Sequence, residues 1–289
     1  MSITLEHVSH TYGAGSPFEK KALNDTSVEI HAGEFVGIIG HTGSGKSTFV
    51  QLLNGLVQPT EGTVYVDGTD ISQKSDAAMA ARHKVGMVFQ YPEYQLFEET
   101  IAKDIAFGPR NFGLSDADVE ERVREAMEFV GLDYKTYADR SPFRLSGGQM
   151  RRVAIAGVIA IHPDYLILDE PSAGLDPIGR REIFAEIQRW HKEKGITVIL
   201  VSHNMEDIAQ MADRLLVLSH GDIVLDGKPL DIFSTQQEAL HQAGVSVPPV
   251  TGVLQYLQQQ GLPITDRVHT ADEGANVIYQ WIRGLDHAH

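Results

Sequence analysis

The segment Gly40-His41-Thr42-Gly43-Ser44-Gly45-Lys46-Ser47 constrains this chain more than any other feature. Its spacing is G-x-x-x-x-G-K-[ST]. The glycines let successive backbone N–H groups turn inward around an anion. A lysine at this spacing reaches the outer phosphates of a nucleoside triphosphate, and the hydroxyl after it suits Mg²⁺. Such a loop must follow a strand and open a helix. Phe35–Ile39 is a short apolar run that reads as a buried strand, and Lys46–Asn54 reads as a helix. The positive end of that helix faces the same phosphates. Gly40 through Ser47, with Thr48 behind them, are therefore the expected nucleotide-phosphate site.

The rest of the pattern alternates strands with helices. Strands are expected at Ile3–Val8, Leu23–Ile30, Thr63–Val66, Val85–Phe89, Tyr165–Leu168, Thr197–Val201 and Leu215–Leu218. A helix is expected over Ile178–Lys194. The reading turns helical from Thr100 to Phe143, with a capping box at Ser115 and Asp118 and a stop at Gly131. The predicted class is α/β: a mainly parallel sheet core, an N-terminal β region and a helical subdomain inserted at about 95–160. Composition shifts near Ser234. From there to the end there is no lysine and there are eight glutamines, so 1–233 read as the main domain and 234–289 as a small appendage. Its apolar Val253, Leu254, Leu257, Val277, Ile278 and Trp281 have helical spacing. That face either packs on its own domain or helps hold a partner.

Two further strings carry chemistry. Tyr165–Leu168 is an apolar strand that ends in Asp169-Glu170. Successive side chains leave a strand on opposite faces, so its end can aim one acid at a metal and place the next elsewhere. Asp169 suits Mg²⁺, and Glu170 suits a general base acting on water. A strand ending in two acids is common by itself. Beside a phosphate loop it points to hydrolysis. The second string is Leu145-Ser146-Gly147-Gly148-Gln149. Ser146 can cap the following helix with Gln149 in the capping-box position, while two glycines leave backbone N–H groups open to phosphate. A plain helix start needs no double glycine, which costs helix stability.

Composition removes several classes. With 24 Lys and Arg against 39 Asp and Glu the net charge is −15, which excludes a sequence-independent nucleic-acid binder. There is no cysteine, hence no disulfide framework or thiolate metal site. The thirteen histidines show no ligand spacing, and the terminal Asp286-His287-Ala288-His289 is too short for a metal site. The longest apolar run, Val153–Ile161, has nine residues, against the roughly 20 of a spanning helix. The opening residues lack a signal-peptide pattern. Any membrane role is expected to be peripheral, on the cytoplasmic face.

These strings together resemble the ABC ATPase family. Gly40–Ser47 resembles its Walker A, Leu145–Gln149 its signature and Leu168-Asp169-Glu170 its Walker B. Ser172-Ala173-Gly174-Leu175-Asp176 resembles the D-loop, with Asp176 in communication across a dimer. His203 is similar to the switch histidine, Gln90 to the Q-loop glutamine that also faces Mg²⁺, and Tyr12 to the aromatic that stacks on adenine. The resemblance covers roughly residues 1–230. It implies ATP and Mg²⁺ as cofactors and a head-to-tail dimer. ATP then lies between the phosphate loop of one subunit and the partner's Ser146, Gly147, Gly148 and Gln149. His203 holds the γ-phosphate and the attacking water.

Finer strings resemble the ATPases of energy-coupling factor (ECF) transporters. They are Thr11-Tyr12-Gly13 with Pro17-Phe18-Glu19-Lys20-Lys21-Ala22-Leu23, then Val88-Phe89-Gln90-Tyr91-Pro92-Glu93-Tyr94-Gln95-Leu96-Phe97 with Ile105-Ala106-Phe107-Gly108-Pro109, and the short tail. This resemblance implies an ATPase that powers import of vitamins or metal ions. It implies pairing with a second related ATPase, with a homodimer as the alternative, and the Pro17-Phe18-Glu19-Lys20-Lys21 insertion resembles that of the second member of such a pair. It also implies an integral membrane coupling subunit and membrane substrate-binding subunits. Tyr91, Tyr94, Leu96 and Phe97 crowd aromatic and apolar groups after Gln90, and such groups anchor partner helices. They are the expected membrane-subunit contact. The alternatives are another ABC transporter ATPase, a soluble ABC protein outside transport, and a non-catalytic module on the same fold.

Overall fold

Near-continuous apolar strands leave no side for water, so they need cover on both faces. Phe35, Val36, Ile38 and Ile39 are all 1% exposed or less. The computed structural model describes residues 1–286 except Gly174 and His269. Gly174 of the expected D-loop and the terminal His287-Ala288-His289 lie outside the described residues. In chain order the strands are β1 (Ser2–Tyr12), β2 (Lys20–His31), β3 (Phe35–Ile39), β4 (Glu61–Val66), β5 (Thr69–Asp70), β6 (Val85–Val88), β7 (Tyr165–Asp169), β8 (Thr197–Val201), β9 (Arg214–Ser219) and β10 (Asp222–Gly227). The helices before β7 are α1 (Lys46–Leu53), α2 (Asp76–His83), α3 (Ile101–Asn111), α4 (Asp116–Phe129), α5 (Tyr134–Tyr137) and α6 (Gly147–Ile159). After it come α7 (Pro177–Lys194), α8 (Met205–Met211), α9 (Pro229–Thr235), α10 (Gln237–Gln242), α11 (Pro249–Gln259) and α12 (Ala271–Asp286).

A six-stranded sheet runs β10-β9-β3-β8-β7-β6, parallel except for the edge strand β10. A four-stranded antiparallel sheet runs β2-β1-β4-β5. The period-2 alternation of strands divides the core in two. Val36, Ile38, Ile167, Ile199 and Leu216 face the antiparallel sheet and α1, packing with Ile3, Leu5, Ile30 and Phe49. Phe35, Ile39, Leu166, Leu168, Val198 and Val217 face the other way, under Ile105, Val123, Met127 and Val153 of α3, α4 and α6.

The helical stretch expected from Thr100 to Phe143 is broken into three. The side chains of Thr100, Ser115 and Asp133 each accept from the backbone N–H three residues on, and so start new helices. Gly131, at φ +70°, ends α4 in a left-handed turn that a side chain would resist. Helix α2, helix α8 and strand β10 were not foreseen; α8 and α2 are single short amphipathic pieces, and β10 alternates between exposed and half-buried residues. The boundary expected at Ser234 falls inside α9. Ile232, Phe233, Leu240 and Ala243 join the same buried cluster as the sheet, and Gln255 Nε2 donates to the Phe233 carbonyl at 3.1 Å. The appendage is thus packed onto the main core along its near edge.

Ile105 is fully buried between sheet and helical subdomain, whereas Glu121 on α4 is exposed. Ile105→Ala is expected to lower unfolding stability by about 2–5 kcal/mol. Glu121→Ala is expected to change it by less than about 0.5 kcal/mol. Urea titration of both variants checks this.

Candidate active site

Strand β3 delivers the chain into the glycine loop, and tight backbone contacts shape it. A Cβ on Gly40 would stand 2.2 Å from the Leu218 carbonyl oxygen, and one on Gly45 2.6 Å from that of Ala22. Gly45 also has φ +108°, so glycine is needed there twice over. It is the N-cap of α1 and offers no side chain to the helix's first N–H groups, which stay open to an anion. Lys46 is 7% exposed. Its ammonium donates to the carbonyls of Gly40 at 2.7 Å and His41 at 3.0 Å, curling over the loop it belongs to. Burial pulls its pKa down, against the opposing pull of Glu170 and Asp169.

Parallel pairing sets the remaining chemistry beside that loop. The order β3-β8-β7-β6 places four carboxyl-terminal strand ends in one row. The phosphate loop follows β3, His203 follows β8, Asp169 and Glu170 close β7, and Gln90 follows β6. Ligands of open α/β sheets bind at such ends. Glu170 has φ +51°, an uncommon conformation for a residue with a side chain, and its N–H donates to the Val201 carbonyl at 3.0 Å. Its carboxyl is pushed up to about 7, first by burial and then by the neighbouring Asp169. Asp169 is raised by burial as well, with Lys46 opposing. His203 Nε2 stands 3.4 Å from Glu170 Oε1, yet that oxygen is buried without a hydrogen-bond partner. Burial, then the charge of Lys46, lowers the pKa of His203 and favours its neutral form.

Tyr12 forms one wall of a small pocket over the loop, with Gly43, Gly45, Lys46, Ser47 and Thr48. Its hydroxyl hydrogen bonds with Thr48 Oγ1 at 3.1 Å, and its edge meets His10. The hydroxyl of Thr48, a residue expected among the nucleotide contacts, is turned to Tyr12, while its backbone N–H lies in the first turn of α1. Ser47 and Thr42 are exposed at the loop, while Ser44 is fully buried with an unpartnered hydroxyl. His41 packs against His220, ring centroids 4.7 Å apart. Lys20 and Ala22 line the same pocket and escaped the sequence reading. The signal was the antiparallel register that sets Lys20 opposite Tyr12, and register is invisible without the fold.

The double-glycine string lies outside this row. Ser146 caps α6 with the expected reciprocal box to Gln149, and a Cβ on Gly147 would meet nothing within 4 Å. Gly148 lies beside Leu175. Asp176 caps α7, accepting from the N–H groups of Ile178 and Gly179, which hold its carboxyl below the usual range. Gln90, Tyr91, Tyr94 and Phe97 are exposed. Leu96, expected on the same face, is 7% exposed and belongs to the core under α3 and α6. It anchors the segment from within, because the turn Pro92–Gln95 rotates its side chain away from its aromatic neighbours.

A buried lysine on a glycine loop, facing two strand-end carboxylates and a histidine, makes a phosphate-binding hydrolytic site of the P-loop kind. The model of the ABC transporter family matches residues 23–173. An energy-coupling factor transporter ATP-binding protein EcfA2 of Clostridium perfringens is 55% identical over 98% of this chain and 99% of its own. That of Clostridioides difficile is 49% identical over 98% and 99%. Among solved structures, the cbiO1 protein of Clostridium perfringens, part of the ABC transporter complex cbiONQ, aligns with a TM-score of 0.72 at 33% identity, over 88% of this chain and 98% of that one. The dimeric ATP-binding cassette MJ0796, in a post-hydrolysis state with ADP and Pi, aligns at 0.70 and 30% identity, over 78% and 98%. The chain belongs to the ABC ATPase family, in its energy-coupling factor branch. Its activity is ATP hydrolysis coupled to transport.

The raised Glu170 carboxyl has a measurable consequence. The unfolded chain ionises this group as pH rises through 4.5, while the folded chain keeps the proton to about 7. Its contribution to stability is therefore full below 4.5 and lost as pH climbs to about 7. Glu170→Gln is expected to unfold with greater stability than the parent at pH 8, by up to roughly 3 kcal/mol. The gap should close toward pH 4.5; denaturant melts across that range check it.

Proposed function

We propose that this chain hydrolyses ATP in a dimer with a second, related ATPase, a homodimer being the alternative, and so drives an importer of vitamins or metal ions. The pathway belongs to an integral coupling subunit and to membrane substrate-binding subunits. The chain itself sits at the cytoplasmic face, and no helix among the described residues is long and apolar enough to cross a membrane. The observation that carries the chemistry is the row of strand ends with its buried, unpartnered Glu170 oxygen.

ATP fits this frame with its adenine on Tyr12 and its phosphates on the N–H groups of residues 40–48 under Lys46. Among the described residues no group of three or more His, Asp or Glu could hold a metal by itself. The oxygens of Ser47, Asp169 and Gln90, completed by phosphate and water, are the hard donor set that Mg²⁺ takes. Bound there, Mg²⁺ would neutralise charge on the outer phosphates. Glu170 accepts the proton of the attacking water at its orphaned oxygen, and neutral His203 orients that water and the γ-phosphate. The partner's Ser146–Gln149 segment caps the same phosphate with the N–H groups of Gly147 and Gly148, which the capping box leaves open, so the chain alone is a poor ATPase. Asp176 fixes the start of α7 at that dimer contact. The appendage from Ser234 onward helps hold the two ATPases together while the nucleotide sandwich is open.

In the assembled complex, Lys46→Ala is expected to abolish ATP binding and hydrolysis. Glu170→Gln should bind ATP normally but hydrolyse at least about 100-fold more slowly. Near-parental turnover by the glutamine variant would remove Glu170 from its role.

The exposed Tyr91, Tyr94 and Phe97 are proposed to receive a cytoplasmic helix of the coupling subunit. Phe97 stacks edge-on with Phe107 at 4.9 Å, which extends the aromatic surface onto α3. Tyr94→Ala with Phe97→Ser should keep folding and nucleotide affinity and lose co-purification with the membrane subunit. Full transport by that double variant rules the surface out.

A further inference from the structure

Among the wholly buried side chains, the largest is charged: Arg151, 2% exposed. It sits in the second turn of α6, two residues past Gln149. Its Nε donates to Glu93 Oε2 at 3.1 Å and its Nη2 to Glu93 Oε1 at 3.4 Å, a two-pronged pair. Glu93 lies in the turn Pro92–Gln95, between the exposed Tyr91 and Tyr94. The guanidinium also stands 5.7 Å over the ring of Tyr91. The next residue, Arg152, points elsewhere, donating to the Val130 carbonyl and pairing with Glu182 on α7.

A buried guanidinium cannot leave its carboxylate without stranding a charge away from water. The turn Pro92–Gln95 and the start of α6 are thus held as one body, although some fifty residues separate them in the chain. One end of that body carries the exposed aromatics, and the other carries the loop that covers the partner's ATP. We propose that Arg151 is a positioning residue that, through Glu93, transmits displacement of the aromatic segment to the Ser146–Gln149 loop. The inference rests on the function proposed above and supplies its internal linkage. Neither residue touches nucleotide, and the pair acts on the coupling of hydrolysis to import.

The test uses Arg151→Met with Glu93→Met, which removes both charges and keeps apolar bulk, and Glu93→Gln as a milder break. Phe143 is exposed in the turn Pro142–Arg144 just before Ser146, and the chain has no cysteine, so spin labels at Tyr94→Cys and Phe143→Cys report the distance between the two ends in the full chain. The distance distribution should be narrow in the parent and clearly broadened in both charge variants. An unchanged width in a folded variant overturns the proposal. In the complex reconstituted in vesicles, the unlabelled variants should hydrolyse ATP at the parental basal rate while uptake per ATP falls about tenfold. Unchanged uptake per ATP overturns it, as does a loss of hydrolysis and uptake in equal proportion, which marks a merely structural pair. If the parent complex takes up nothing, the importer reading fails, and the distance measurement still decides whether Arg151 links the two ends.

Discussion

Parallel pairing of β3, β8 and β7 is the constraint from which the rest of this structure follows. In a parallel sheet, neighbouring strands end on the same edge. Residues that follow them meet there, however far apart they lie in the chain. Lys46, His203 and Glu170 are brought together in this way, and none needs a special fold of its own. The register is held by backbone bonds such as Glu170 N–H to the Val201 carbonyl. Apolar cover on both faces forbids the strands to slip, since a one-residue shift would exchange the two cores.

The edge so formed is electrostatically unfinished. One lysine is buried beside two carboxylates, and burial raises both acids and lowers the lysine. Asp207 on α8 adds a further push on Glu170, though it pairs with Arg180 of α7. Desolvated charges that cannot satisfy one another are a poor structural design and a good reactive one. The open N–H groups of α1 and the orphaned Glu170 oxygen are where phosphate and water are proposed to complete the set.

The helical subdomain solves a different problem. In the proposed dimer the start of α6 at Ser146 serves the partner's nucleotide, so it must stay exposed and still move predictably. Capping by Ser146 and Gln149 makes the helix start rigid, and Arg151 and Arg152 tie α6 in two directions. The exposed aromatics on one side and the exposed Gly147 on the other are then the ends of the proposed lever. Leu96 packs inward as the pin of that segment, away from the proposed docking surface.

The phosphate loop, the acids at the end of β7, the Ser146 cap and the class of fold were legible in the sequence, because each depends on residues adjacent in the chain. Local backbone chemistry settles them: a glycine where no Cβ fits, a serine where a helix begins, an apolar run where both faces are buried. The inward turn of Leu96, the bond between the Thr48 and Tyr12 hydroxyls, Lys20 in the pocket over the phosphate loop and the Glu93–Arg151 pair were not. Each depends on which strands and helices become neighbours and in what register. Those pairings are decided by the packing of the whole core, and a linear pattern of residues does not contain them.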